Sequence, residues 1–221
     1  MTPPPIPANF RAHYRAERIP SYYSGRLHLG LTTSICLAVI LWCAVKLESV
    51  TPLEWLAVPV TLLYANLSEY LGHRGPMHNP TKGLGLVYQR HTREHHIFFT
   101  DSDMAVNESR DFMAVLFPPV MLLFFTLAFA LPVGLLLGWL ASPNTAYLFV
   151  MTSLAYFLNY ELLHLAYHLP ESHWAFGIPF MKTLRRHHMT HHRPDLMSRY
   201  NFNITYPVAD WFFGTTFRRD P

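Results

Sequence analysis

Long parts of the chain carry no charged side chain. Between Asp111 and Glu161 lie 49 consecutive residues without Asp, Glu, Lys or Arg. That length accommodates two helices of about 20 residues each, enough to cross a bilayer twice, together with a turn. Turn-forming Pro, Gly, Ser and Asn residues lie between positions 132 and 144. We therefore predict a hairpin of two membrane-spanning helices, at about 112–131 and 145–165.

Two further apolar segments precede this hairpin. Residues 27–45 include 19 positions without a formal charge, which is enough to span. The run at 55–68 has only 14 residues before Glu69, so a re-entrant segment is an alternative to a span at about 55–71. If all four segments cross, 16 of the 17 Lys and Arg residues lie on one face, as the positive-inside rule expects. We predict an all-α integral membrane protein with four transmembrane helices, both termini in the cytoplasm and a cytoplasmic helical cap.

Composition narrows the possible functions. Hydrophobic residues make up 51% of the chain and charged residues only 14%, which excludes a disordered chain. The net charge of +3, without a run of Lys or Arg, gives no indication of nucleic acid as a partner. The two cysteines form neither a disulfide framework nor a CxxC motif. We predict a cytoplasmic N-terminal segment at 1–26 and a single membrane domain at 27–221.

The 14 histidines equal Asp and Glu together, and 12 of them fall into two regions. The predicted hairpin lies between the two regions and crosses the membrane twice. We therefore expect both histidine regions on the same side of the membrane. Many of these histidines recur at i, i+3 or i+4, which places them on one helical face, and neutral imidazole is the commonest metal ligand. Ten or so are too many for one structural zinc and suit two metals with about five imidazoles each. A loop that binds metal only loosely is the alternative. The first region holds His73, His78, His91, His95 and His96, and the second holds His164, His168, His173, His187, His188, His191 and His192.

Carboxylates accompany the histidines. Glu69 and Glu161 lie near the ends of apolar segments, where an unpaired carboxylate is costly and suggests function. A carboxylate that accepts the free N–H of a metal-bound imidazole would fix its tautomer. Asp103 and Asp195 follow histidine pairs and are candidates for the same role. Charge at the membrane interface is the alternative for each of them.

Four histidine motifs follow in order along the chain: His73-Arg-Gly-Pro-Met-His78, His91-Thr-Arg-Glu-His95-His96, His164-Leu-Ala-Tyr-His168 and His188-Met-Thr-His191-His192. Tyr160-Glu161 precedes the third motif, and the closing stretch contains Asn201-Phe-Asn and Asp210-Trp-Phe-Phe-Gly-Thr. Over about residues 68–215 the chain thereby resembles the fatty acid hydroxylase/sterol desaturase superfamily. The second motif has three residues before its histidine pair, where the family often has two, so His91 stays open as a ligand. His187 could also replace His188.

The resemblance implies a non-haem dimetal oxygenase with two iron ions, which zinc may replace in a purified protein. It implies O2-dependent hydroxylation, or less often desaturation, of a fatty acyl, sphingolipid, sterol or carotenoid lipid taken from the bilayer. It also implies a separate electron donor, cytochrome b5-like or ferredoxin-type. We predict Glu161 and Tyr160 as catalytic residues. The predicted metal ligands are His73, His78, His91, His95, His96, His164, His168, His188, His191 and His192.

Three other functions compete with this one. A histidine-rich membrane metal transporter or metal-binding protein would explain both the spans and the histidines, but it calls for ionisable residues along a path through the membrane. A zinc hydrolase would need an open metal position and a general base, as in HExxH, which the sequence lacks. An inactive scaffold would not need a complete set of motifs.

Overall fold

The structure, a computed structural model, describes residues 9–218. Within that range the chain is helical, and its β-structure is limited to one isolated bridge between Thr100 and Asp103. The α-helices are α1 (Phe10–Glu17), α2 (Gly25–Val45), α3 (Pro52–Trp55), α4 (Ala57–Gly72), α5 (Gly85–Tyr88), α6 (His96–Phe98), α7 (Phe112–Val115), α8 (Pro119–Phe125), α9 (Leu131–Leu140), α10 (Pro143–Tyr167), α11 (Met181–His191) and α12 (Val208–Phe212). The π-helical segments are His73–Met77, Gln89–His95 and Thr126–Ala130, and the 3-10 turns are Ser109–Asp111 and Trp174–Gly177.

Three helical segments are long and apolar enough to cross a membrane: Gly25–Val45, Ser109–Leu140 and Pro143–Tyr167. They overlap three of the four predicted spans. The last of them, α10, lies at the centre of the bundle and packs against α2, α4 and α9. Gly134 permits the close approach of α9 to α10, since a Cβ there would lie 2.7 Å from Val150 Cγ2.

The remaining segment is built from two helices. The short α3 and the 16-residue α4 flank Leu56, whose backbone is itself in the right-handed helical region. At 1.5 Å per residue, the helical stretch 52–72 is about 30 Å long. This length equals the hydrocarbon thickness of a typical bilayer.

The start of the third span differs from the prediction at 112–131. Helix α7 ends at Val115, and the backbone is extended at Leu116 before α8 begins at Pro119. Pro118 and Pro119 explain the break, because each proline disfavours helical geometry in the residue before it.

The end of this span also differs, since the turn expected around Pro132 does not form there. Pro132 lies in the first turn of α9, directly after the π-helical segment Thr126–Ala130. A π-turn is one of the irregularities that accommodate a proline, which lacks the N–H of a regular helix. The helix therefore continues to Leu140, and the chain turns before Ser142, whose side chain caps α10.

Polar contacts join the two loops at one end of the bundle. Ser142 donates to Glu54 Oε1 at 2.5 Å, and Asn144 Nδ2 donates to the carbonyl of Glu48 at 2.7 Å. The α2–α3 connection and the α9–α10 connection therefore meet at this end. The C-terminal ends of α4 and α10 lie at the other end, where the histidines are.

The predicted N-terminal segment 1–26 is packed into the protein over its described part. Arg15 forms a two-bond ion pair with the fully buried Asp111, with both N···O distances at 2.8 Å. Arg11 donates to the carbonyls of Phe98 and Ala105 at 2.6 and 3.0 Å. Helix α1 therefore covers the histidine-bearing part of the chain.

Candidate metal centre

The histidines are presented by helix ends and by two departures from α-helical geometry. The first departure follows α4, where Gly75 adopts φ −88° and ψ −106° and bends the chain. The bend brings the His78 ring back to stack on the His73 ring, with centroids 5.0 Å apart. An unbroken α-helix would place positions five apart on different faces.

The second departure is the π-helical segment Gln89–His95. Its backbone bonds run from i to i+5, so positions i+4 and i+5 both lie near the face of position i. His91 therefore contacts the rings of both His95 and His96, at centroid distances of 5.3 and 4.7 Å. The π-helical geometry therefore lets His91 contact the histidine pair although three residues separate it from that pair.

Ten buried imidazoles form two adjoining groups. The first group has five rings with nitrogens all within 4.8 Å of one another, and the second has four. His164 joins the second group, because its Nε2 lies 3.1 Å from the Nε2 of His95. The groups touch where the rings of His96 and His192 lie 4.3 Å apart. The first group is His73, His78, His91, His96 and His191, and the second is His95, His168, His188 and His192 with His164.

Backbone carbonyls set the tautomers of five rings. Each of these rings presents Nδ1 to a carbonyl oxygen that can only accept a hydrogen bond, so Nδ1 carries the proton and Nε2 the lone pair. In every case Nε2 then points into the cluster. The pairs are His73 with Phe202, His95 with Ala114, His168 with Met104, His191 with Tyr200 and His192 with Phe99.

The Nε2 atoms lie closer together than two facing lone pairs would when no proton or cation lies between them. His95 Nε2 and His192 Nε2 are 3.1 Å apart, although the tautomers place no proton between them. Metal–nitrogen bonds of about 2.0–2.1 Å separate neighbouring ligand atoms by roughly 3 Å. The arrangement therefore fits two cations, each surrounded by imidazole nitrogens, and the donor set suits Zn, Cu, Fe or Ni.

Burial keeps these rings neutral. Desolvation, followed by the neighbouring His191, lowers the pKa of His78 to about 2. Desolvation lowers the pKa of His95 to about 4, although the carbonyl of Ala114 opposes the shift. The pKa values of His168 and His188 lie well below 6.5 for the same reason, first burial and then adjacent imidazoles. Neutral imidazole is the form that binds metal.

The C-terminal stretch supplies two of the carbonyls. Asp210 is fully buried and accepts from the backbone N–H groups of Phe202 and Asn203, at 3.0 and 2.7 Å. Glu69 accepts from the N–H of Thr205 at 2.9 Å and from the N–H of Ile204. Glu69 thus holds the loop whose Phe202 carbonyl orients His73, rather than bonding an imidazole itself.

The structure separates His187 from His188. His188 lies in the second group, with its Nε2 3.0 Å from that of His192. His187 points the other way, with its Nε2 3.4 Å from Asp210. His13 and His28 lie apart from both groups, next to Glu17 and Tyr23.

The predicted carboxylate–imidazole bonds are replaced by carbonyl–imidazole bonds in the described part of the chain. Glu161 is buried, but it accepts from the N–H of Phe117 at 3.2 Å, at the break before α8. Asp103 and Asp195 pair with arginines near the surface. A catalytic role for Glu161 and Tyr160 stays a prediction.

A buried polar network beside His95 was not anticipated. Arg90 Nη1 donates to Tyr14 Oη at 2.7 Å, and Tyr14 donates to Glu94 Oε2 at 3.1 Å. Arg90 also bonds the carbonyl of Met113, next to the Ala114 carbonyl that orients His95. Glu94, inside the second motif, was the only signal for this network, because nothing local links Tyr14 to it.

A small cavity adjoins the metal centre. It has a volume of about 20 Å³ and is bordered by Phe117, Tyr160 and rings of both histidine groups. The rings of Phe117 and Tyr160 stack with centroids 5.3 Å apart. A volume of this size holds about one water-sized molecule. The histidines at its wall are His91, His95 and His164.

The chain is similar to known proteins in fold and in sequence. The chain resembles the solved structure of full-length Scs7p, in which only the hydroxylase domain is visible, with a TM-score of 0.63 and 20% identity. The match covers 87% of this chain and 68% of that one, and at this identity it shows the fold alone. No curated protein matches the sequence. The family model described as fatty acid hydroxylase matches residues 58–215, a range that contains all ten clustered histidines. The chain therefore belongs to the fatty acid hydroxylase family.

Proposed function

We propose that this protein is an O2-dependent di-iron hydroxylase that acts on an unactivated C–H bond of a bilayer lipid. One observation carries the proposal. In a family member with membrane-length helices, ten buried imidazoles form two adjoining groups whose oriented Nε2 atoms converge. The balanced reaction is RH + O2 + two electrons + two protons → ROH + H2O. Desaturation of the same lipid is the alternative outcome.

Iron is the metal we propose for both groups. When bound, it supplies the redox chemistry with O2 that amino-acid side chains lack. The two electrons come from a separate donor, cytochrome b5-like or ferredoxin-type, which reaches the centre from the aqueous side. Zinc binds imidazole at least as well as Fe(II), so a purified protein can carry zinc.

The side chains of the protein hold, orient and shield the centre. Carbonyl bonds at Nδ1 keep the rings of His95 and His192 in one orientation. Burial keeps them neutral and limits the access of water. We propose that Tyr160 and Phe117 place the reacting carbon at the adjoining cavity and that Glu161 holds the break to which Phe117 belongs. This cavity has room for about one small molecule, so a lipid chain would enter it only if these side chains moved apart.

We further propose four membrane crossings, with α3 and α4 together forming the second. The histidine end then lies in the cytoplasm with both termini. A lipid tail reaches the centre from within the bilayer, while reductant approaches from water. A metal carrier would need ligands along the bundle, whereas all ten clustered imidazoles lie at one end of it.

The test is oxygen incorporation. The full chain, loaded with iron in phospholipid bilayers, is given a reductant, a panel of acyl lipids and 18O2. We expect a hydroxylated lipid with one 18O atom from the wild type and from His13→Ala, and none from His164→Ala. An iron-loaded wild type that consumes no O2 with any lipid would contradict the proposal.

A further inference from the structure

The segment 206–213 carries a surface that the metal centre does not use. Trp211 is 66% exposed and Phe212 82%, and Tyr206, Val208 and Phe213 are also exposed. The only charged residue between positions 205 and 213 is Asp210, which is fully buried. The outward side of this segment is therefore apolar and uncharged.

Contacts with α4 fix the position of the segment along that helix. Asn66 Nδ2 donates to the carbonyl of Tyr206 at 2.8 Å, and Asn66 Oδ1 accepts from the N–H of Ala209 at 3.0 Å. Asn66 lies six residues before Gly72, the last residue of α4. At 1.5 Å per residue, that is about 9 Å from the histidine end of this helix.

The neighbouring face of α4 is also apolar and exposed. Leu63, Leu67 and Leu71 recur every four residues and are all exposed, so they form one stripe along the helix. The adjacent Tyr70 stacks on Phe213 with ring centroids 4.9 Å apart. The aromatic surface of 206–213 thus lies beside the stripe of α4 that faces lipid if α4 spans the membrane.

The irregular backbone around this segment is satisfied by buried side chains. Glu69, Asn66, Asn203 and Asp210 together accept from the N–H groups of six residues. Backbone that is not helical is tolerated at membrane depth only where its polar groups find protein partners. The six N–H groups belong to Phe202, Asn203, Ile204, Thr205, Ala209 and Asp210.

We infer that residues 206–213 insert into the leaflet at the histidine end and that their aromatic surface is covered by phospholipid. Exposed Trp and Tyr are typical of membrane interfaces, and Phe is typical of the apolar face of an interfacial helix. If α4 spans with Gly72 at the bilayer surface, its contacts at Asn66 lie about 9 Å deep, within the 5–10 Å of an interfacial helix. The inference rests on the proposed spanning of α4. Its consequence is that the loop supplying the Phe202 carbonyl to His73 is held to the membrane on its outer side.

The test measures whether a spin label at Phe212 lies in lipid or in water. Nitroxide labels are attached to Phe212→Cys, to Leu63→Cys on α4 and to Ser198→Cys on the exposed part of the loop after α11. The full chain is loaded with diamagnetic zinc in phospholipid vesicles. Collisions with O2, which concentrates in lipid, are compared with collisions with water-soluble chromium oxalate. The wild type is the blank, because both of its cysteines are buried.

We expect the logarithm of the O2-to-chromium collision ratio to be positive at positions 212 and 63 and negative at 198. Frequent chromium collisions at 212 with a lipid signal at 63 would overturn this inference and leave the proposed spanning of α4 intact. Shielding of 212 from both reagents, with broadening between labels, would mean that a second copy covers the surface and would also overturn it. A water signal at 63 would overturn the spanning of α4 on which it rests. Val208→Cys repeats the measurement if Phe212→Cys does not fold.

Discussion

His95 and His192 face each other with Nε2 atoms 3.1 Å apart, while each ring presents Nδ1 to a backbone carbonyl. Those carbonyls, from Ala114 and Phe99, place a lone pair on both facing nitrogens. Two lone pairs at this distance repel unless a cation lies between the rings. The fold therefore holds these imidazoles in a geometry that a bound cation would complete, so we expect stability and metal content to be linked.

Removal of metal is expected to destabilise the protein. A ligand present at 1,000 times its Kd stabilises the folded state by about 4 kcal/mol. For a chain of this size, that corresponds to roughly 8–16 °C in Tm for one site. Differential scanning fluorimetry with and without a chelator measures the shift, and re-addition of metal is the control. Equal Tm values in both samples would contradict a preorganised metal centre.

Removal of a single ligand is expected to empty mainly the group to which it belongs. His164 lies 3.1 Å from His95 in the second group. We expect His164→Ala to contain about one metal ion fewer than the wild type and to lose hydroxylation. His13→Ala, a change at a half-exposed histidine beside Glu17, is the matched control and should retain both. Elemental analysis of the three purified proteins measures their metal content. Equal metal content in all three would refute the assignment of His164 as a ligand.

Acid is expected to destabilise the protein through its buried histidines. The folded-state pKa of His95 is about 4, against 6.5 in the unfolded chain. Between these values the unfolded state binds a proton that the folded state does not, so stability falls as pH falls through this window. A shift of this size corresponds to about 3 kcal/mol of stability lost by pH 4. Protonation also competes with metal, which adds to the effect.

Tm and bound metal, measured together from pH 7.5 to pH 4.5, check this dependence. Both should fall below about pH 6.5, and His13→Ala should follow the same curve as the wild type, because His13 belongs to neither group. A Tm that stays flat between pH 7 and pH 5 would show that the rings are not held neutral by burial.

Glu69 is expected to act on the first histidine group through the C-terminal loop. Its carboxylate accepts from the N–H of Thr205 and from the hydroxyl of Tyr156, at 2.9 and 2.6 Å. Glu69→Ala removes these acceptors and should lower both Tm and the metal content by about one ion. Glu69→Gln keeps an acceptor for the backbone and should retain more of both. Equal losses in the two variants would mean that the charge, rather than the loop contact, matters.

Glu161 is expected to affect turnover more than metal binding. Glu161→Ala releases the N–H of Phe117, a residue at the wall of the small cavity, but removes no imidazole. We expect metal content near that of the wild type and a loss of most hydroxylation. Glu161→Gln retains an acceptor for Phe117 and should be less affected. Unchanged turnover in the Ala variant would reduce Glu161 to a structural residue.

The sequence determined the spans and the kind of site. Hydropathy predicted helices that the structure places at Gly25–Val45 and Pro143–Tyr167, because partition into a bilayer depends mainly on the local composition of a segment. The repeated histidines predicted a metal site with imidazole ligands, because ligand preference is a property of the side chain. Helix ends at prolines were less predictable, as Pro132 shows, since a π-turn just before it let the helix continue.

Only the tertiary structure decided which histidines lie in the same group. His95 belongs to the second group and its neighbour His96 to the first, while His191 belongs to the first and His192 to the second. The second and fourth motifs therefore each contribute rings to both groups. Each group combines rings from helix ends far apart in sequence, and backbone carbonyls from distant loops choose the nitrogen that faces inward. Periodicity places side chains on one face of a helix, but the packing of α4, α10 and α11 determines which other side chains that face contacts.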